Sequence, residues 1–119
     1  MISNFREFEA GPDPFGRTYN VTFVWQQTAI SIRHADCVDV KFLVDDGEMP
    51  EEKVVALPHP KLREMSGRLG RPLSDAWCMK LAAVHLVKII ETGEDIEKSL
   101  VTMSASDLEA ANAELSKAA

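Results

Sequence analysis

Asp75-Ala76-Trp77-Cys78-Met79-Lys80-Leu81-Ala82-Ala83-Val84-His85-Leu86-Val87-Lys88-Ile89-Ile90-Glu91 is the most apolar run of the chain. Between Ala76 and Ile90 only Lys80, His85 and Lys88 are polar. Spaced five and three residues apart, they share one narrow stripe of a helix that turns once in about 3.6 residues. The rest of the circumference demands cover. Trp77, Leu81, Leu86 and Ile89 would each gain roughly 1.5–3 kcal/mol on burial. The stretch predicts a buried helix, capped by Ser74 or Asp75 and ended by Gly93, around which the domain is built.

Upstream, the pattern changes to period two. Tyr19, Val21, Phe23 and Trp25 alternate with Thr18, Asn20, Thr22 and Val24, which predicts a half-buried strand with both Tyr19 and Trp25 on its apolar face. Ile30 and Ile32 then place the apolar residues on even positions, so a turn or a bulge is expected across Gln26–Ala29. Val38, Val40, Phe42 and Val44 mark another strand, ended by the turn chemistry of Asp45-Asp46-Gly47. A polar loop from Glu48 to Glu52 leads to a short strand at Lys53–Leu57. Every connection here is too short for a parallel crossover, so these strands predict an antiparallel meander.

Pro60 suits the first turn of a helix running to about Leu69, with Leu62, Met65 and Leu69 on one face and Gly70 just past its end. In the tail, Ile96, Leu100, Val101 and Met103 suggest a helical turn and a short extended piece. Ser104 or Ser106 can cap a last helix, Asp107 completing a capping-box-like pair with Ser104. The expected fold is α+β: an antiparallel sheet of about four strands in the N-terminal half, covered on one face by two or three helices from the C-terminal half. One domain spans residues 1–119, with residues 1–16 an extended arm carrying Phe5, Phe8 and Phe15, and residues 116–119 frayed.

Composition narrows the function classes. A net charge of -6 argues against a general nucleic-acid binder, which needs a basic surface. The first ten residues contain Arg6, Glu7 and Glu9 and no apolar core of a signal sequence. The apolar helix is shorter than the roughly 20 residues that span a bilayer, so no membrane association is expected. Two cysteines make no disulfide framework, and a reduced, cytoplasmic setting follows.

His34-Ala35-Asp36-Cys37 is the most suggestive cluster, since with Asp39 it holds metal-ligand residue types that Cys78 and His85 would complete. Yet Cys78 and His85 stand two helical turns apart, about 10.5 Å of rise, and neither spacing matches a known ligand pattern, so no metal and no cofactor are expected. Cys78 near a helix start, where the dipole lowers a thiol pKa, is a candidate nucleophile. Its neighbours Trp77 and Met79 mark a core thiol instead. His85 reads as a partly exposed member of the polar stripe. Lys61, Arg63, Arg68 and Arg71 form either a small basic patch or a solvated face balanced by Glu64. No phosphate-binding, dinucleotide, Gly-x-Ser-x-Gly or His-Glu-x-x-His motif is present.

Because no catalytic set assembles and an open sheet leaves two edges, the leading expectation is a small interaction or accessory protein, self-associating as a homodimer, with a protein partner. The alternative is a small-molecule-binding or enzymatic domain with a pocket between sheet and helices. Arg33, His34 and Asp36 would be its polar groups, and Trp25 or Trp77 an apolar wall. A third possibility is a small acidic neutraliser of a basic partner, which the net charge allows.

Overall fold

A computed structural model describes residues 4–30 and 36–117. The chain runs β1 (Glu7–Ala10), β2 (Tyr19–Ile30), β3 (Asp36–Asp45), β4 (Pro50–Pro58), α1 (His59–Leu69), α2 (Asp75–Thr92), β5 (Leu100–Thr102) and α3 (Ala105–Lys117). The five strands form one sheet in sequential order, antiparallel except for β5, which lies parallel to β4. This is the expected α+β arrangement, sheet first and helices after.

Three details of the sheet differ from the sequence expectation. Part of the N-terminal arm is a strand, because Glu7–Ala10 pairs with Tyr19–Thr22 and buries Ala10, while Phe8 meets Phe42 edge-on with ring centroids 6.3 Å apart. The tail strand β5 gains its parallel place through the α1–α2 crossover, a connection long enough where those between the earlier strands are not. The phase change in β2 is a bulge, set earlier than Gln26. Phe23 stands opposite Phe42 and Trp25 opposite Lys41, which leaves Val24 as the extra residue, 44% exposed.

That bulge corrects the placement of Trp25. Val21 and Phe23 share the face of Val40, Phe42 and Val44, but beyond Val24 it is Gln26 that stands opposite Val40 and reaches Asp75 of α2. Trp25 therefore lies on the opposite side of the sheet, where the Lys41 ammonium sits 5.2 Å from its ring.

The inner face carries Val38, Val40, Phe42, Val44, Val55 and Leu57, all nearly or fully buried. Helix α2 packs across β1, β3 and β4, and α3 packs on α2. The caps are as the sequence indicates. Ser74 Oγ accepts the Trp77 N–H at 3.2 Å, and Gly93 ends α2 at φ 75 with its N–H on Ile89. Ser104 Oγ accepts from Asp107 N at 3.1 Å while Asp107 Oδ2 accepts from Ser104 N at 2.9 Å, a reciprocal box at the start of α3.

Candidate functional site

The positions singled out from sequence do not converge. Arg33 and His34 lie outside the described residues. Asp36 is exposed at the first position of β3, opposite Ile30. Trp77 is 1% exposed and donates its indole N–H to Asn112 Oδ1 at 3.3 Å, so it is core and forms no wall of a cleft. Among the described residues, no three His, Cys, Asp or Glu side chains form a metal-binding group.

Cys78 is also core. Burial, with Asp75 adding to it, pushes its thiol pKa up to about 11, which overrides the helix-start effect and keeps it protonated at neutral pH. Of the cations on and after α1, Lys61, Arg68 and Arg71 are used internally, while Arg63 is exposed. Lys61 Nζ reaches Glu64 at 2.7 Å and Glu109 at 2.8 Å, Arg68 pairs with both of the same carboxylates, and the Arg71 guanidinium covers the Trp77 ring at 4.9 Å. Glu109 comes from α3, a partner that the local sequence around α1 does not reveal.

What the fold does create is a cleft of about 810 Å³ between the edge strand β1 and the helices α2 and α3. The five consecutive residues Glu7–Gly11 line it. Successive side chains of a strand point to opposite faces, so having all four residues of β1 line one cleft means that the strand presents its edge. The ladder agrees. Arg6 O accepts from Phe23 N, and antiparallel pairing alternates, so Phe8 and Ala10 bond toward β2 while Glu7 and Glu9 aim their N–H and C=O groups outward. No strand among the described residues lies beyond β1.

The far wall is Val84, Val87 and Lys88 of α2 with Ala110, Ala111 and Glu114 of α3. At its base is His85, which the sequence reads as partly exposed and which is 6% exposed. The α2 stripe that carries it is covered on one flank by α3 and on the other by the N-terminal segment, where Phe5 lies 5.6 Å from Lys80 Nζ. The His85 ring makes no hydrogen bond with the described residues, yet neither of its nitrogens is sealed from solvent. His85 itself lines the cleft. Burial, only partly offset by the carboxylate of Asp107, holds its pKa below the usual 6.5, so the ring is neutral at pH 7. The Asp107 carboxyl is held below its ordinary value although burial acts against ionisation, because the Ser104 hydrogen bonds and His85 and Lys88 outweigh that cost.

Thr92, the hydroxyl at this cleft, donates to the Lys88 carbonyl at 2.8 Å and is thereby occupied. The site is a base and a set of carboxylates around an apolar wall beside an open strand edge.

A second cleft, of about 470 Å³, lies by Asp13, Arg17 and Lys53, with Phe15 and Met49 exposed at its rim. Its polar groups are satisfied within the chain. Asp13 accepts from Phe15 N, Arg17 N and the Tyr19 hydroxyl, Arg17 faces Asp46 at 3.8 Å, and Lys53 bonds two carbonyls.

The fold and the site define an α+β domain with a strand-edge cleft. The chain matches no protein-family model, and no curated protein or solved structure matches it significantly. No helix among the described residues is long and apolar enough to cross a membrane.

Proposed function

We propose that this protein is an interaction module that takes an extended segment of a partner protein along the outer edge of β1. The observation that carries this is the coincidence, in one cleft, of an outward-facing strand edge and a buried histidine with no hydrogen-bond partner among the described residues. A strand laid against Glu7–Ala10 would meet two N–H donors and two C=O acceptors, the mode by which sheets recruit peptides. Its inward side chains would rest on Val84, Val87 and Ala110.

Self-association by this same edge is disfavoured. Pairing β1 with β1 of a second copy brings Glu7 and Glu9 against like charges, which destabilises cross-strand neighbours. The reading therefore favours a different protein as partner over the homodimer that the sequence suggests.

Selection of binders from a random heptapeptide library tests the reading. Ala110 is exposed and lines the cleft, so Ala110→Trp fills the cleft at little expected cost to folding. Selected peptides should bind Ala110→Trp at least tenfold more weakly and should lose binding when alternate backbone amides are N-methylated. Binding indifferent to both changes would reject docking at this edge. A cleft of this volume also suits a small molecule, for pockets of about 300–1,000 Å³ are usual. A ligand of discrete mass retained in native mass spectrometry, with no peptide selected, would favour that reading.

A further inference from the structure

We infer that the segment taken by this cleft is basic, with lysine or arginine on the side of the strand that faces Glu7 and Glu9 and small aliphatic residues on the side that faces the helices. The inference rests on the docking reading above and names the chemistry of its partner. Five carboxylates line the cleft, Glu7 and Glu9 on β1, Glu91 on α2, and Asp107 and Glu114 on α3, against the single ammonium of Lys88. Glu114 is shared with Lys117, at 3.3 Å. Asp107 is engaged by its capping box.

The alternation follows from strand geometry. Side chains of an added strand point in turn to the two faces of the sheet, so those level with Glu7 and Glu9 meet carboxylates directly, and opposite charges there are the favourable cross-strand pair. Those level with Phe8 and Ala10 face the apolar wall of Val84, Val87 and Ala110. His85, neutral in its buried setting, presents an imidazole nitrogen that can accept a hydrogen bond from an N–H donor and adds no positive charge to repel a basic chain. Four backbone groups alone would not choose between sequences. The charge at the rim does.

The probes are three fluorescently labelled, acetylated heptapeptides that alternate valine with lysine, with serine or with glutamate, titrated into the full chain by anisotropy at about 50 mM and about 500 mM salt, a range over which exposed charges become screened. The lysine peptide should bind at least tenfold more tightly than the serine peptide, and the glutamate peptide should not bind. The lysine advantage should shrink at high salt and disappear in the double variant Glu7→Lys, Glu9→Lys, both of which are exposed positions. A serine peptide that binds as tightly as the lysine peptide, and still loses binding in Ala110→Trp, would overturn the charge inference while docking stands. A lysine advantage unchanged in Glu7→Lys, Glu9→Lys would place the attraction elsewhere on this acidic chain and overturn it as well. If none of the three peptides binds, the docking reading falls and the charge inference with it.

Discussion

Lys53 Nζ donates to the backbone carbonyl of Lys98 at 2.8 Å from a side chain only 2% exposed. The same ammonium donates to the Ile96 carbonyl and lies 3.7 Å from Glu51. It thus ties the loop after α2 to the inner face of β4 just before the chain enters β5.

Lys53→Met keeps most of the side-chain length but leaves both carbonyls without their donor. A lost charge-assisted bond at a buried site costs about 1–3 kcal/mol, and a loss of that size in urea unfolding is expected. Hydrogen exchange at Lys98–Thr102 should rise more than at α1, since the bond anchors the run into β5.

Cys78 should be inert in the native protein. With a pKa of about 11 its thiolate fraction at pH 7.5 is roughly one in three thousand, about 300-fold below that of an ordinary cysteine. In a Cys37→Ser background, labelling by a maleimide at pH 7.5 should be slowed at least about 100-fold relative to the urea-unfolded chain. Comparable rates in the two states would mean that the helix opens readily around Cys78.

His85 should cost stability for the sake of the cleft. Burial disfavours the protonated ring, so His85→Leu removes a group that works against the fold only where it would carry a proton. The pH dependence has a definite sign. The folded-state pKa lies below 6.5, so between that value and 6.5 the unfolded chain binds more protons, and stability falls as the pH drops through this window. His85→Leu should therefore gain most over the native chain below pH 6.5. A gain independent of pH would show that the ring is not held neutral by burial.

Gly70 and Gly93 end α1 and α2 in the same left-handed conformation, at φ 64 and φ 75. A Cβ at Gly70 meets nothing, whereas one at Gly93 would lie 2.9 Å from Cγ of Pro14. Gly70→Ala should cost about 1 kcal/mol for the left-handed backbone alone. Gly93→Ala should cost at least about 1 kcal/mol more, because the loop between β1 and β2 that carries Pro14 must shift. Equal losses in thermal unfolding would show that this loop is free to yield.

Much of the fold was legible because it is local. A capping hydroxyl at Ser74, a left-handed glycine at Gly93, the Ser104–Asp107 box and the turn residues Asp45, Asp46 and Gly47 act within about four residues, and the sequence displays all of them. The period-two runs before residue 58 and the apolar run of α2 set the order of layers for the same reason.

The face of Trp25 was not legible, since a bulge at Val24 leaves no mark in composition, and the extra residue is chosen by the pairing with β3. The candidate site was less legible still. By itself the sequence determined where helices begin and end, which strands alternate and how acidic the chain is. Only the tertiary structure decided that β1 would stand at the sheet edge with α3 across from it, and that His85 would be shut between them. The reason is physical: caps and periodicity depend on neighbours along the chain, but burial and an open edge depend on segments brought from far away in it.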